Sequence, residues 1–271
     1  MSATTFEVEG DVLVPRSVAG GLQAAAADLP PGAYTTLRTY EGSRVLRLRQ
    51  HVARLSESLT LQGRQGSIDE TRVRRAVSAA LTATGHAESR LRLTLAPPRF
   101  FVSVEAYLAL PEAFYREGVA CVTVPLRRAN PHAKDTTFAA TAATVYRALP
   151  PSVHEGLMVG EDGALLEGLS SNFFAVREAR LWTEGERVLL GVTRSLVLEV
   201  ASGVVPVSMT AVRRSELEAV TECFITSASR GILPVVAIDG VAVGSGRPGP
   251  VTRSLTERFQ ELVEREAETV F

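Results

Sequence analysis

The N-terminal part of the chain alternates between two hydrophobic patterns, one typical of strands and one typical of helices. Four segments rich in β-branched or aromatic residues, partly alternating with polar ones, predict strands at residues 6–14, 34–48, 89–95 and 101–110. The alanine-rich residues 19–29 predict a short helix, which Pro30-Pro31-Gly32 would end.

Two longer helices are predicted between the second and third of these strands. The first opens at His51 and has apolar residues at helical spacing. The second runs to Gly85, and Ser67 and Glu70 stand before it at the spacing of a capping box. The first half of the chain is therefore predicted to be α+β.

Residues 111–118 are predicted to be a linker between two domains. The division gives a smaller N-terminal α/β domain, residues 1–117, and a larger C-terminal β-rich domain, residues 118–271. In the second domain, a strand at 119–126 is followed by a helix after Lys134 and then by several short strands. Two more helices are predicted, at residues 194–201 and, amphipathic and C-terminal, at 250–267.

Composition narrows the class of protein. A chain of 271 residues with 45% hydrophobic residues and a formal net charge of -1 is typical of a soluble globular protein, with no general attraction to nucleic acid or anionic membranes. The N-terminus lacks the features of a signal peptide, so a cytoplasmic protein is expected. Neither Cys121 and Cys223 nor the four histidines have metal-ligand spacing, and the two cysteines are expected to be buried thiols.

Lys134 is the only lysine among the 29 basic residues of the chain. Arginine provides a permanent cation, but its high pKa prevents it from acting as a nitrogen nucleophile. A lysine amine can lose its proton and condense with an aldehyde to form a Schiff base. A single lysine left by chance on the surface is the alternative that composition alone leaves open.

Two sequence segments, one that ends at Lys134 and one that contains Glu167, favour a functional role for this lysine. Asn130-Pro131-His132-Ala133-Lys134 is followed, 33 residues after Lys134, by Glu167 in Leu166-Glu167-Gly168-Leu169-Ser170-Ser171-Asn172-Phe173-Phe174. Together they resemble the fold-type IV pyridoxal-phosphate enzymes, the class IV aminotransferases. These include branched-chain aminotransferase, D-amino acid aminotransferase and 4-amino-4-deoxychorismate lyase. The resemblance implies a two-domain fold like that of D-amino acid aminotransferase, pyridoxal 5′-phosphate as cofactor and a homodimer.

The resemblance also implies roles for residues that hold the cofactor. Lys134 would provide the amine for the cofactor aldehyde, and Glu167 would pair with the pyridine nitrogen and keep it protonated. Ser170, Ser171 and Asn172 are expected to form the turn that aims the Glu167 carboxylate.

The phosphate group would have two anchors and an arginine. Gly191-Val192-Thr193-Arg194 stands before a helical pattern, and exposed amides at a helix start bind phosphate. The resemblance implies that the amides of Val192 and Thr193 and the Thr193 hydroxyl make these bonds, with Leu189 against the ring. Arg54 matches the phosphate arginine of the family. The second anchor is the loop with Ser227 and Ala228, where many relatives have a threonine in place of Ala228, so one hydroxyl donor is missing.

Tyr34 matches the substrate-facing aromatic residue of the family. Arg99, in the short segment after Leu95, is predicted to be a solvated turn residue, with substrate carboxylate binding as the alternative. The run from Gly244 to Gly249 fits G-x-G-x-x-G, but the chain ends within the following helix. These glycines are therefore predicted to be turn residues and not a nucleotide site.

The expected reaction is transfer of an amino group from a small amino acid, branched-chain or of D configuration, to a 2-oxo acid. A lyase that releases pyruvate and 4-aminobenzoate from 4-amino-4-deoxychorismate is the first alternative, because both reactions begin with removal of the α-proton by Lys134. A non-catalytic relative that binds the cofactor or a partner protein is the second alternative.

Overall fold

The computed structural model describes residues 2–271, and the chain divides into two compact units. Unit 1 comprises Met1–Leu108, His132–Ala140 and Val263–Phe271, and unit 2 comprises Ala109–Pro131 and Thr141–Leu262. The chain therefore passes between the units after residues 108, 131, 140 and 262. The domain boundary between residues 117 and 118 stays a prediction, since these units are defined by contacts and each combines separate segments.

The secondary structure is mixed. The strands are β1 Ala3–Glu9, β2 Val12–Ala19, β3 Ala33–Tyr40, β4 Arg44–Leu46, β5 Ser89–Ala96, β6 Arg99–Ala106, β7 Val119–Val124, β8 Glu155–Val159, β9 Leu165–Gly168, β10 Asn172–Arg177, β11 Arg180–Trp182, β12 Val207–Ser208, β13 Glu222–Ser227, β14 Gly231–Ile238, β15 Val241–Ala242 and β16 Ala267–Thr269. The helices are α1 Leu22–Ala27, α2 Leu48–Leu61, α3 Glu70–Thr84, α4 Glu112–Glu117, α5 Thr136–Arg147, α6 Val192–Ala201 and α7 Pro250–Glu266, with a 3₁₀ helix at Arg214–Ala219. This mixture confirms the predicted α+β class.

Unit 1 is built on a seven-stranded sheet in the order β16-β4-β3-β5-β6-β1-β2. Strand β3 alternates buried and half-buried residues, which is the pattern of a strand with one face against a core. The apolar faces of α2 and α3 contribute to that core, through residues such as Leu55, Leu59, Val73 and Val77.

Unit 2 is built on a nine-stranded sheet in the order β12-β11-β10-β13-β14-β7-β8-β9, with β15 at the side of β14. Strand β9 pairs with β8 and also with β10, where Glu167 lies opposite Asn172. The path of the sheet therefore closes on itself at the strand that contains Glu167. No helix within residues 2–271 is long and apolar enough to cross a membrane.

Several predicted boundaries were wrong. The predicted strands 6–14 and 34–48 are each two strands, because turns at Gly10 and Gly42, both with positive φ, interrupt them. The predicted linker at 111–118 contains helix α4.

The start of α3 also differs from the prediction. The capping box with Ser67 was wrong, because Asp69 is the N-cap and its side chain accepts a hydrogen bond from the amide of Arg72 at 3.1 Å. The predicted end is confirmed, since Gly85 closes the helix in the left-handed conformation.

Glu7 is the most strongly perturbed carboxylate of unit 1. Its side chain is only 8% exposed and accepts two hydrogen bonds from Arg99 and one from Arg16, all at 2.7 Å. The hydrogen bonds from Arg99 have the largest effect on the pKa of Glu7, and the hydrogen bond and the charge of Arg16 act in the same direction. Together they outweigh burial, which would raise the pKa, and lower it from the usual 4.5 to about 2. Glu7 therefore joins β1 to the first residue of β6 and to β2.

This ion pair predicts a pH-dependent contribution to stability. Because the folded-state pKa lies below 4.5, the stabilisation is present above about pH 4.5 and is lost as the pH falls towards 2. We expect Glu7→Gln to lower the free energy of unfolding by about 1 kcal/mol at pH 7, since both arginines are partly exposed. The difference from the parent protein should shrink between pH 4.5 and pH 2 in urea titrations followed by circular dichroism.

Glu9→Gln is the matched control, because Glu9 pairs with the same Arg16 but its side chain is 55% exposed. An equal loss for both variants, or a Glu7→Gln effect that is the same at every pH, would contradict the assignment.

Candidate active site

The backbone amide and the backbone carbonyl of Lys134 both form hydrogen bonds within unit 1. Its amide donates to Oγ of buried Ser58 in α2 at 3.0 Å, and its carbonyl accepts from the amide of Tyr34 in β3 at 3.0 Å. The neighbouring Asp135 forms an isolated bridge with Ala33. The segment with Lys134 and Asp135 therefore pairs with the start of β3 as a short antiparallel neighbour, and this pairing sets the position of the lysine.

The Lys134 side chain lies against the predicted substrate-facing residue. Its Nζ is 4.7 Å from the centre of the Tyr34 ring, a cation–π distance. The guanidinium carbon of Arg92, in β5, is 3.9 Å from the centre of the same ring. The structure thus brings together Lys134 and Tyr34, as their predicted roles require, and adds Arg92, which the sequence pattern did not reveal.

Arg54 is buried in α2 and is held by two neighbours. Its Nη2 donates to Oγ1 of Thr35 at 2.7 Å, and the same Oγ1 is 2.7 Å from Nδ1 of His51. Burial, followed by the charges of Arg54 and Lys134, holds the pKa of His51 well below its usual range. His51 is therefore neutral at pH 7, and Thr35 can accept from Arg54 and donate to Nδ1, which assigns the ring proton to Nε2.

Glu167, in unit 2, is 2% exposed and its carboxylate is held from two sides. Oε1 accepts from Nε of Arg128 at 3.1 Å, and the Arg128 side chain is itself buried. Oε2 accepts from Nδ2 of Asn172 at 3.3 Å and from the amide of Leu189 at 3.1 Å. The cost of burying this carboxylate is therefore offset by a cationic partner and two further hydrogen-bond donors.

The turn after Glu167 differs in part from its predicted role. Asn172 contacts the Glu167 carboxylate as expected, but the hydroxyls of Ser170 and Ser171 donate instead to Oε2 of Glu155, at 2.8 and 3.1 Å. Ser170 and Ser171 do lie in the turn between β9 and β10, where the amide of Gly168 donates to the carbonyl of Ser171 at 2.8 Å. The expectation that their hydroxyls bond to the backbone was wrong, because Glu155, fully buried in β8, offers a stronger acceptor than a backbone carbonyl.

The start of α6 is suited to an anion. Its N-cap, Gly191, has no side chain to bond the first amides, and no acidic residue occurs in the first turn. A Cβ atom at position 191 would collide with Oδ1 of Asn172, so glycine is required there. The amides of Val192 and Thr193 therefore face no competing carboxylate from the helix itself. Leu189, also buried, is tied to the same region because its carbonyl accepts from Asn172 Nδ2 at 2.7 Å.

Ser227 and Ala228 lie where β13 ends. Oγ of Ser227 accepts from Nε of Arg230 at 2.9 Å, and Nη2 of Arg230 reaches Oε2 of Glu155 at 3.0 Å and Oγ of Ser170 at 2.8 Å. Burial alone would lower the pKa of Arg230, but the charge of Glu155 and neighbouring groups outweighs it and raises the pKa. One buried ion pair therefore joins the Ser227 loop to the turn that follows Glu167.

Each unit by itself contains groups that fit a chemical requirement of pyridoxal phosphate. Unit 1 provides an amine at Lys134 and a cation at Arg54. Unit 2 provides the buried Glu167 carboxylate, the uncapped start of α6, and Oγ1 of Thr226, which is buried and bonds to no partner within residues 2–271. A dianionic phosphate is what a helix start and an orphaned hydroxyl can bind.

Two other candidate features have structural roles. The Arg99 side chain is partly solvated, as predicted, with 47% exposed, but Arg99 is the first residue of β6 and not a turn residue. Its guanidinium donates to Glu7, which occupies the groups that a substrate carboxylate would need. The glycine run ends at α7, whose amides of Val251 and Thr252 donate to the Glu222 carboxylate at 3.1 and 2.7 Å. The helix start that a nucleotide phosphate would need is therefore already capped.

The remaining polar clusters add no metal site. Within residues 2–271, no group of three or more His, Cys, Asp or Glu side chains could hold a metal ion. Cys121 and Cys223 are buried as predicted, and burial, the largest effect in each case, raises the pKa of both thiols.

Comparison with known proteins places the chain in a family. The model for class IV amino-transferases matches residues 32–238. D-alanine aminotransferase of Bacillus licheniformis is 28% identical over 249 residues, which cover 86% of this chain and 87% of that protein.

Solved structures with the same fold include a putative branched-chain amino acid aminotransferase from Thermotoga maritima, with a TM-score of 0.81 and 24% identity over 97% of this chain and 96% of the other. A T.th. branched-chain amino acid aminotransferase with pyridoxamine 5′-phosphate has a TM-score of 0.82 and 21% identity over 100% and 99% of the two chains. These structures confirm the predicted two-domain fold. With the family match over most of the chain, they confirm the resemblance drawn from the Lys134 and Glu167 segments, and the chain belongs to the class IV aminotransferases.

Proposed function

We propose that this protein transfers the amino group of a small amino acid to a 2-oxo acid, with pyridoxal 5′-phosphate as cofactor. The observation that carries the proposal is the placement of Lys134. It is the only lysine of the chain, it is held by backbone bonds to α2 and β3, and its amine lies against Tyr34. Family membership supports the reaction class, and the pyridoxamine phosphate of the T.th. enzyme supports the cofactor.

Lys134 has two tasks in this proposal. Its Nζ would hold the cofactor covalently through the aldehyde. The same Nζ, once free, would remove the proton from the substrate Cα and hold it. When bound, the cofactor supplies the electron sink for the negative charge that develops at Cα.

Glu167 provides the fixed negative charge that the pyridine nitrogen requires. Because Arg128, Asn172 and the Leu189 amide hold the carboxylate in place, it does not need to reorganise when the ring binds. Leu189 can then pack its side chain against the ring while its backbone remains tied to Asn172 and Glu167.

The phosphate would be held by the amides of Val192 and Thr193, the Thr193 hydroxyl, the loop with Ser227 and Ala228, and the guanidinium of Arg54. Ser227 can still donate its hydroxyl proton, because its contact with Arg230 uses it as an acceptor. The loop lacks the threonine hydroxyl that many relatives have at position 228. Thr226, two residues earlier, has a buried hydroxyl without a partner within residues 2–271, and this hydroxyl can replace it.

The substrate class follows from relatives and stays a proposal. D-alanine aminotransferase and branched-chain aminotransferases both act, by their names, on small or aliphatic amino acids. Tyr34 is proposed to line the substrate side of the site. A homodimer is also proposed, on the resemblance to the family.

The first prediction concerns covalent attachment. Borohydride reduction of the cofactor-loaded protein, followed by peptide mapping, should place a pyridoxyl group on Lys134. Lys134→Arg keeps the positive charge but cannot condense with the aldehyde. We therefore expect no tag at position 134 and a loss of at least about 10²- to 10⁴-fold in transamination rate. An untagged residue 134 in folded protein that has been supplied with cofactor would end the proposal.

The second prediction concerns the pyridine nitrogen. Glu167→Gln removes the charge but keeps the shape, so we expect the rate of amino transfer in a single turnover to fall by about 10²-fold. The covalent tag on Lys134 should still form. Glu161→Gln is the control, because Glu161 lies six residues earlier and its side chain is 84% exposed. Full activity of Glu167→Gln would contradict the role of this carboxylate.

A third experiment separates the alternatives. D-alanine and L-leucine are each incubated with 2-oxoglutarate, and 4-amino-4-deoxychorismate is incubated alone. Formation of glutamate from 2-oxoglutarate supports the aminotransferase. Release of pyruvate and 4-aminobenzoate without an acceptor acid supports the lyase. Tagged protein that exchanges no α-proton with any amino acid in deuterium oxide supports a non-catalytic relative.

A further inference from the structure

Arg230 lies in the turn between β13 and β14, and both its backbone and its side chain are held. Its amide donates to the carbonyl of Ser227 at 3.2 Å, and its carbonyl accepts from the hydroxyl of Tyr115 at 2.9 Å. Its side chain is only 12% exposed, and Nη2 reaches the carboxylate of Glu155 at 3.0 Å. The turn therefore fixes one end of this residue, and a carboxylate of β8 fixes the other.

Glu155 makes the position of the Arg230 guanidinium well defined. The carboxylate is fully buried, and its Oε2 also accepts from the hydroxyls of Ser170 and Ser171. Arg230 is the cation that balances its charge. Removal of one partner from a buried ion pair leaves an uncompensated charge, so the pair has a strong tendency to stay formed.

The fixed guanidinium determines the direction of the Ser227 hydroxyl. Nε of Arg230 donates to Oγ of Ser227 at 2.9 Å, and a guanidinium has no acceptor, so the hydroxyl proton must point away from Arg230. No acceptor for that proton lies within hydrogen-bond distance among residues 2–271. Ser227 is therefore a donor of defined orientation, which suits an anionic oxygen.

The sheet of unit 2 places this donor near the start of α6. Thr226, the residue before Ser227, lies opposite Asn172 in the neighbouring strand β10. Oδ1 of Asn172 lies where a Cβ atom on Gly191 would be, and Gly191 is the N-cap of α6. The Ser227 loop and the start of α6 are therefore both neighbours of Asn172. An anion at the first amides of the helix has the Ser227 loop close to it.

We propose that Arg230 is a positioning residue for the phosphate of the cofactor, because it holds the Ser227 hydroxyl with its proton available to a phosphate oxygen. The inference rests on the proposed function, which takes the Ser227 loop as part of the phosphate site. Ala228 gives the loop no side-chain donor, so the orientation of the Ser227 hydroxyl has a larger effect here. Without the guanidinium, this hydroxyl can rotate and no longer has a preferred acceptor.

The test compares pyridoxal phosphate with pyridoxal, which lacks the phosphate group. Both dissociation constants are measured on the full chain after removal of the cofactor, through the absorbance of the bound compound. Arg230→Lys keeps a cation for Glu155, but its single nitrogen cannot replace both Nη2 and Nε. We expect its affinity for pyridoxal phosphate to fall about 10-fold and its affinity for pyridoxal to stay the same.

A double-mutant cycle shows whether Arg230 acts through Ser227. Ser227→Ala should weaken binding of pyridoxal phosphate roughly 10- to 100-fold, and Arg230→Lys should add almost nothing in that background. Ser227→Thr keeps the hydroxyl and should therefore keep the sensitivity to Arg230→Lys. Arg214→Lys is the matched control, because Arg214 of unit 2 pairs with Asp239 at 2.8 Å and its side chain is 57% exposed. It should change neither affinity.

The outcomes are separable. Equal losses for pyridoxal phosphate and pyridoxal in Arg230→Lys would contradict the proposal, as would an undiminished effect of Arg230→Lys in the Ser227→Ala background. If Arg230→Lys does not fold, the uncharged pair Glu155→Gln with Arg230→Gln takes its place in the cycle, with the same expectations. The parent protein is first tested for the borohydride tag on Lys134. Absence of the tag would overturn the proposed function, whereas a tag with unchanged affinities in Arg230→Lys contradicts only the role of Arg230.

Discussion

The charge of Glu167 is buried, and the polar groups around it are arranged to keep it in place. An ionised carboxylate at this depth requires a cation and several donors, which Arg128, Asn172 and the Leu189 amide provide. Because those donors come from the segment before Lys134, from β10 and from the segment before α6, one side chain fixes three parts of unit 2. Asn172 also donates to the Leu189 carbonyl, so the same hydrogen bonds help to position the segment that leads into α6.

A second buried charge organises the neighbouring loop in the same way. Glu155 accepts from Arg230 and from two serine hydroxyls, and Arg230 in turn donates to Ser227. The loop after β13 is therefore tied to a carboxylate and not only to its own backbone. The shape of this loop is therefore set in part by the Glu155–Arg230 ion pair.

Local patterns in the sequence predicted most elements but few of their partners. The 3.6-residue period located α2 and α3, and the glycine before α6 marked a helix start without a cap. The hairpin turns at Gly10 and Gly42 were missed, because single glycines within long apolar segments give a weak signal. Arg92, His51 and Arg230 could not be identified, since their contacts involve residues distant in sequence that the sheets bring together. Family resemblance supplied Lys134 and Glu167, whereas the groups that hold them are visible only in three dimensions.

Strand β9 has neighbours on both sides, so the backbone around Glu167 has no exposed edge. A strand enclosed in this way cannot shift its register without breaking two ladders at once. During evolution of new specificities, this part of the protein would therefore be the least adaptable. Side chains of unit 1 such as that of Tyr34, which bonds to the Lys134 carbonyl through its backbone amide, can change with less effect on the hydrogen-bonded framework.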